Sequence, residues 1–314
     1  MKARAPGKLV LTGAYAVLEG APAIVAAVDR YAVADGARST DAPTHEVRAA
    51  MAGPWPECDV SALQHDGNKL GLGSSAAALV ATLGAAHLAR ERGADLHDGA
   101  VRASIFSDAR RAHAAAQNGG SGVDVAASTY GGVLRYALLG RVPSLVAVAL
   151  PEALVLRVFF SGVSARTSEL RRRVDAFREA APSLYAARMS ELSAAAGEGA
   201  AALSGGGATE AVAAVRRFGE ALEVFGDAAD VGIVPLAFRR LATAAAGQGA
   251  WFHPAGAGGG DVGVFCGTTE PDDAFLRLAQ ELGLSPIPLA IGAPGLTAHE
   301  ATPHEGVPFR GQVS

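Results

Sequence analysis

The chain has 314 residues, of which 50% are hydrophobic, so it can bury the core of one large domain or of two modest ones. Its 27 basic and 31 acidic residues give a formal net charge of -4, which argues against nucleic acids and anionic membranes as partners and favours a small-molecule substrate. Cys58 and Cys266 are too few for a disulfide framework or a cysteine-rich metal site, so we expect two buried free thiols.

The chain shows no signal segment and no candidate membrane span. It does not open with a charged stretch that runs into an apolar one. No apolar run reaches the roughly 18 to 20 residues that a membrane span requires. We therefore expect a cytoplasmic protein.

Short apolar runs separated by proline and glycine make up residues 1–33. This pattern predicts strands joined by tight connections. Lys8 is unusual here, because the chain has only two other lysines and otherwise uses arginine for its positive charge. A compact ammonium favours contact with a phosphate or a carboxylate, and a strand-end lysine that lies along the surface is an equal alternative.

A glycine-serine loop, Lys69–Ser75, runs directly into an alanine-rich stretch that predicts a helix from Ser75 to Arg92. The unpaired N–H groups and the positive dipole end of a helix N-terminus bind phosphate, and serine hydroxyls can bind phosphate or Mg²⁺. Alternatively, Ser74 or Ser75 only caps the helix. The spacing excludes a Walker A loop. A loose dinucleotide pattern from Gly71 to Ala76 is less favoured, because polar residues precede it.

Residues 35–68 are weakly patterned, and they predict one short strand from His45 to Met51. A second long helix is predicted from Gly99 to Gln117. A second glycine-serine loop then delivers Asp124 into an apolar stretch. A buried aspartate requires a partner, so we expect Asp124 either to have one or to cap a helix.

The second half of the chain alternates strands, helices and one more glycine loop, with Pro151 as the predicted domain boundary. Arg171 belongs to a triple-arginine run, which we interpret as a solvated helix face. The predicted strands are Val133–Tyr136, Ser144–Leu150, Leu154–Phe160 and Val262–Cys266. Helices are predicted in Glu169–Ala245, with a linker at Gly205–Gly207, and in Asp272–Leu282. The third glycine loop is Ala255–Asp261. The tail from Pro286 is predicted to be irregular.

These three loops, together with the early Ala5-Pro6-Gly7-Lys8, resemble the superfamily of galactokinase, homoserine kinase, mevalonate kinase and phosphomevalonate kinase, the GHMP kinases. The details at Gly13–Glu19, Lys69–Ser75 and Ala112–Ala126 look most like phosphomevalonate kinases. The resemblance implies an α+β fold of two domains. Residues 1–151 would form a ribosomal protein S5 domain 2-like half and residues 152–314 a ferredoxin-like half, with ATP and Mg²⁺ bound in a cleft.

The resemblance also implies roles for individual residues. Lys8 and Asp124 would act at the acceptor as catalytic residues, and Ser75 would contact Mg²⁺. The residues implied to bind the nucleotide are Lys69, Gly71, Leu72, Gly73, Ser74, Ser75 and Ala76. Those implied to bind the substrate are Ser121, Gly122, Gly256, Ala257, Gly258, Gly259 and Asp261, and Arg110, Arg166 and Lys69 are candidates for its own phosphate.

Several positions depart from the superfamily pattern. Ala14 stands where many relatives carry glutamate, and His113 stands where mevalonate kinases carry a Mg²⁺-binding glutamate, which leaves one metal ligand unidentified. His253 and Ala255 stand where lysine and serine are frequent, and the segment that builds the adenine pocket is short.

We expect phosphorylation of 5-phosphomevalonate by ATP. The alternatives are a kinase of mevalonate or another small alcohol, and a non-catalytic binder of nucleotide or metabolite; the oligomeric state stays open.

Overall fold

A computed structural model of the chain describes residues 1–65, 67–91, 93–117, 119–164 and 167–299. The strands are β1 (Lys2–Thr12), β2 (Ala23–Thr40), β3 (Trp55–Asp59), β4 (Gln64–His65), β5 (Asn68–Lys69), β6 (Val133–Leu139), β7 (Val142–Ala147), β8 (Val155–Phe160), β9 (Trp251–Pro254), β10 (Val262–Gly267), β11 (Ser285–Ile287) and β12 (Thr297–His299). The α-helices are α1 (His45–Ala50), α2 (Ser74–Arg90), α3 (Gly99–Ala116), α4 (Val123–Tyr130), α5 (Thr167–Ala180), α6 (Pro182–Gly205), α7 (Ala208–Ala228), α8 (Leu236–Ala246) and α9 (Asp273–Glu281).

The first sheet is antiparallel and contains strands from both ends of the chain. Its order is β12-β1-β2-β6-β7. The long strand β2 has two partners on one side, because its first residues pair with β6 and its last residues pair with β3. β1 runs along the other side of β2, and Lys8 pairs in register with Ala27.

Helix α2 forms the centre of the N-terminal core. Its residues Ala76–Ala86 are buried, and they are mostly alanines whose small side chains let the helix lie close to β1 and β2. Gly84 brings the helix against Leu296, which is fully buried in the tail of the chain. Helices α3 and α4 also pack against α2. The N-terminal residues of α2, Ser74 and Ser75, face a space that residues of the C-terminal half also line.

The second sheet is antiparallel in the order β11-β8-β10-β9. Its core is aromatic, with the ring of Phe159 lying 5.9 Å from Phe252 and 5.5 Å from Phe275 between centroids. Helices α7, α8 and α9 cover this sheet or pack against one another beside it. The third glycine loop connects β9 to β10 and therefore lies at one end of this sheet.

The structure confirms the predicted long helices and corrects the predictions for two segments. Residues 45–50 form a helix and not a strand, because the Thr44 hydroxyl accepts a hydrogen bond from the Val47 N–H and caps it. The tail contains β11 and β12 and is not irregular throughout. Because β12 pairs with β1, the tail returns to the first sheet; the division into residues 1–151 and 152–314 stays a prediction.

Two smaller expectations can also be compared with the structure. Cys58 and Cys266 are free thiols, and Cys266 is buried whereas Cys58 is only partly so. In the part of the chain that the structure describes, the helices are too short or too polar to cross a membrane.

Candidate functional site

A cleft of about 320 Å³ opens where the two halves of the chain meet. The N-terminal half contributes the end of β1, the start of α2 and the loop before α4. The C-terminal half contributes the start of α5 and the third glycine loop. Of the predicted site residues, the cleft is lined by Lys8, Lys69, Gly71, Gly73, Ser74, Ser75, Ser121, Gly122, Asp124, Gly256, Ala257, Gly258 and Asp261.

The phosphate loop, Lys69–Ser75, connects β5 to α2. Gly73 is the N-cap of α2 in the left-handed conformation, with φ of 76°, and no side chain caps this helix end. The interpretation of Ser74 or Ser75 as a simple helix cap is therefore wrong, and both residues line the cleft. The first turn of a helix presents N–H groups that lack intrahelical partners, so this end attracts an anion.

Lys8 lies at the floor of the cleft beside this loop. Its backbone N–H donates to the Leu72 carbonyl at 2.8 Å, and its Nζ donates to the Gly71 carbonyl at 3.3 Å. Burial lowers the pKa of the Lys8 ammonium below its ordinary value, and the negative charges of Asp124 and Asp261 oppose that shift. A side chain on Gly73 would crowd this lysine, because an added Cβ would lie 3.0 Å from Lys8 Cγ.

Asp124 lies in the first turn of α4, and its side chain has two partners. One oxygen accepts a hydrogen bond from the Val125 N–H at 2.9 Å, and the other lies 3.4 Å from His113 Nε2. Within the described ranges, Lys8 and Asp124 do not form an ion pair within 4.0 Å. The charge of Asp124 acts on Lys8 across the cleft, whereas its direct partner is the buried imidazole of His113.

A third carboxylate, Glu46, was not predicted as a site residue. It lies on α1 and accepts a short hydrogen bond from the Ser75 hydroxyl. Gln117 Nε2 lies 3.5 Å from Glu46 Oε1 and 3.0 Å from His113 Nε2, so a chain of polar contacts connects Ser75 to Asp124. Burial acts to raise the pKa of the Glu46 carboxyl, but hydrogen bonds, led by the one from Ser75, outweigh it and keep that pKa below its ordinary value.

The third glycine loop closes the other side of the cleft. The Tyr15 hydroxyl donates to the Ala257 carbonyl at 2.7 Å, and burial raises the pKa of this phenol. Asp261 packs directly against the phosphate loop, since a Cβ added to Gly71 would lie 2.3 Å from Asp261 Cβ. The phosphate loop and the third loop are therefore in contact.

The cationic side chains are placed differently from the prediction. Arg171 lines the cleft and donates to the Gly119 carbonyl at 3.0 Å, so the interpretation of its run as a solvated face is wrong for this residue. Arg110 does not line the cleft, because its guanidinium reaches the Arg141 carbonyl at 3.3 Å. Lys69 is exposed at the cleft, and Arg166 lies outside the described residues.

Three other predicted residues do not face the cleft. Leu72 and Ala76 are fully buried, so they can contribute only backbone groups to the phosphate loop. Gly259 packs against Leu170 of α5. No group of three or more histidine, cysteine, aspartate or glutamate residues in the described ranges could hold a metal ion by itself.

One segment of the chain is similar to a known sequence family. Residues 55–132 match the sequence profile described as the GHMP kinases N terminal domain. This segment is similar to that domain and contains the phosphate loop and Asp124. Lys8, Glu46 and the third loop lie outside the matched residues.

Relatives and solved structures extend the likeness along the chain. The chain is 27% identical over 380 aligned positions to a phosphomevalonate kinase of Streptomyces sp. (strain CL190), covering 93% of this chain and 97% of that protein. It superposes on the Lin0012 protein of Listeria innocua with a TM-score of 0.80 at 21% identity, covering 95% and 99% of the two chains. Streptococcus pneumoniae phosphomevalonate kinase in complex with phosphomevalonate and AMPPNP matches with a TM-score of 0.75 at 18% identity, covering 93% and 99%. The chain has the GHMP kinase fold.

Proposed function

We propose that this chain is an ATP-dependent kinase that phosphorylates 5-phosphomevalonate to 5-diphosphomevalonate, in the mevalonate route to isoprenoid precursors. The observation that carries the proposal is that the Lys8 ammonium, the N-terminus of α2 and the Asp124 carboxylate share one cleft. The Streptomyces relative is a phosphomevalonate kinase, and the Streptococcus structure holds phosphomevalonate and AMPPNP, which supports this acceptor. Because the reaction draws on ATP, we place it in the cytoplasm.

The nucleotide phosphates would bind at the start of α2. Unpaired N–H groups of its first turn and the Ser74 hydroxyl face the cleft there, and exposed Lys69 adds a positive charge. Mg²⁺ fits this end of the cleft, because the Ser75 hydroxyl and phosphate oxygens are the hard oxygen ligands that it prefers. When bound, Mg²⁺ would neutralise phosphate charge.

The acceptor in this reaction is itself a phosphate. One of its oxygens would form a bond to the γ-phosphorus of ATP while the bond from that phosphorus to the bridging oxygen of ADP breaks, and ADP leaves. A phosphate monoester loses its second proton near pH 6, so the attacking oxygen needs no base at neutral pH. The task of Lys8 is to neutralise charge on the transferring group, since phosphoryl transfer depends on positioning and electrostatic stabilisation.

Cations beside the cleft would hold the substrate phosphate. Arg171 is the described arginine that lines the cleft, and its guanidinium lies by the loop before α4. Lys69 is the second candidate, and Arg166 stays a prediction. A site with such cations discriminates against an acceptor with a neutral alcohol end in place of the phosphate, because its charged groups would stay unpaired when that acceptor binds.

The test is ADP release by the purified chain with ATP, Mg²⁺ and one acceptor at a time. The panel is 5-phosphomevalonate, mevalonate, homoserine and galactose, and a reaction without acceptor is the control. We expect turnover with 5-phosphomevalonate and little with the others. Faster turnover of mevalonate would overturn the assignment of 5-phosphomevalonate as the acceptor. Nucleotide binding without any turnover would favour the non-catalytic alternative.

One observation favours a second candidate, a kinase of mevalonate or another small alcohol. Asp124 lines the cleft with a carboxylate that could accept a proton from an attacking hydroxyl group. The two candidates differ in their response to Arg171→Gln. Loss of this charge should raise KM for a phosphorylated acceptor and should leave KM for mevalonate unchanged.

A further inference from the structure

Helix α1 brings a carboxylate to the start of α2 from outside the three glycine loops. Glu46 is half-buried, and its Oε1 accepts the hydrogen bond of the Ser75 hydroxyl. Ser75 lines the cleft in the first turn of α2, where the proposed function places the nucleotide phosphates. The Glu46 carboxylate therefore lies behind the phosphate end of the cleft and contacts it through Ser75.

This carboxylate has no cationic side chain as a partner in the described part of the chain. Its hydrogen-bond partners are all uncharged: the Ser75 and Thr44 hydroxyls, the Gln117 amide and its own backbone N–H. It forms no ion pair with lysine, arginine or histidine in the described ranges. ATP phosphates bound at this helix end would bring several negative charges close to it. Without a cation between them this arrangement is repulsive, and a divalent cation would make it attractive.

The two described carboxylates that line the cleft are arranged differently from Glu46. Asp124 is engaged by the Val125 N–H and by His113. Asp261 packs against Gly71 across the cleft, and its charge acts on Lys8. Among the described carboxylates, Glu46 is the one that contacts Ser75. In nucleotide sites, Mg²⁺ is held by one or two protein oxygens together with phosphates and water.

We propose that Glu46 is the second protein ligand of the Mg²⁺ ion that accompanies the nucleotide, beside the Ser75 hydroxyl. This inference rests on the proposed kinase function. Gln117 holds Glu46 in place and connects it through His113 to Asp124. His113, by contrast, is turned to Asp124 and Gln117. Glu46 lies between the first two motifs, before the segment 55–132 that matches the family profile.

Metal binding is measured directly with Mn²⁺ in place of Mg²⁺. Electron paramagnetic resonance reports free Mn²⁺ during titration of the full chain saturated with AMPPNP, so the readout does not depend on turnover. We expect Glu46→Gln to weaken Mn²⁺ binding about tenfold or more, in line with the loss of one charged oxygen ligand. Glu46→Asp, which keeps a carboxylate, should lose less. The matched control is Glu57→Gln, since Glu57 is an exposed carboxylate on nearby β3 that pairs with Arg38.

AMPPNP binding in the presence of EDTA separates a metal ligand from a structural tether. A ligand role predicts that Glu46→Gln binds metal-free AMPPNP as well as or better than the unaltered chain, because a negative charge beside the phosphates is gone. An equal loss of AMPPNP binding with and without metal would overturn the proposal, as would unchanged Mn²⁺ binding in Glu46→Gln. Failure of the unaltered chain to bind AMPPNP at all would instead overturn the proposed function.

Discussion

Lys8 lies between two carboxylates that raise its pKa while burial lowers it. Asp261→Asn removes one of these charges and keeps the shape of the side chain, so the pKa of Lys8 should fall further. Only the protonated ammonium can neutralise phosphate. In the pH profile of kcat/KM, the decrease on the alkaline side should therefore begin at a lower pH. Rates measured from about pH 7 to about pH 10 test this shift. Asp108→Asn, at an exposed aspartate paired with Arg111, is the control, and an unmoved limb would show that Asp261 does not act on Lys8.

His253 is buried in the second sheet, and burial lowers the pKa of its imidazole to about 4. In the unfolded chain this imidazole has its ordinary pKa of about 6.5, so between that pH and about 4 the unfolded chain binds a proton that the folded chain does not. The free energy of unfolding therefore decreases as the pH falls through this range. His253 should lower the free energy of unfolding by about 2 kcal/mol between about pH 7 and about pH 5. Urea unfolding at both pH values should show a smaller decrease for His253→Leu. His97→Gln, at an exposed histidine, should leave the decrease as it is.

The residues of the motifs could be predicted from the sequence because each belongs to a short local pattern whose physical effect is known. Ser75 follows two glycines and starts a helix, and Asp124 needs a partner in an apolar stretch. Glu46 could not be found in this way, because only the packing of α1 against α2 and α3 brings it to Ser75. Arg171 was missed for a related reason, since a run of three arginines does not show which one faces a cleft.

At the scale of elements, the cleft depends on contact between two loops. Gly71 has a φ of 74°, and a Cβ there would overlap Asp261 of the third loop. Gly71→Ala should therefore push the two loops apart and lower kcat/KM on the order of 100-fold. Gly67 has a φ of 78° with open space around it, so Gly67→Ala is a matched control that carries only the backbone cost of about 1 kcal/mol. Equal effects of both variants on kcat/KM would show that contact between the loops is unimportant.

The elements that the sequence predicts well are those that local patterns stabilise. The alanine run gives α2 and the apolar spacing gives α3, and both predicted ranges lie close to Ser74–Arg90 and Gly99–Ala116. α1 was predicted as a strand because its six residues are too few for a helical period to show. β12 exists only through its pairing with β1, so no local pattern indicates it.

At the scale of the whole molecule, the tail holds the N-terminal half together. Leu296 is fully buried against Gly84 of α2, and its backbone N–H donates to the Thr129 carbonyl at 3.1 Å. Leu296→Ala should lower the free energy of unfolding by about 2 to 5 kcal/mol, because it leaves a cavity in the core. Leu139→Ala, at a leucine that is 68% exposed, should change it by no more than about 0.5 kcal/mol. Denaturant titration of both variants distinguishes a core position from a surface one.

The pairing of Lys2 with His299 joins the first and the last described strands of one sheet. A ribosome makes this chain from its N-terminal end, so β1 has one unpaired edge until β12 emerges. At about 5 to 20 residues per second this interval lasts roughly 15 to 60 s. During it the nascent chain exposes N–H and C=O groups that can pair with another nascent chain. Ladders between such distant residues also form slowly, so the yield of folded protein in a cell should depend on protection of this edge.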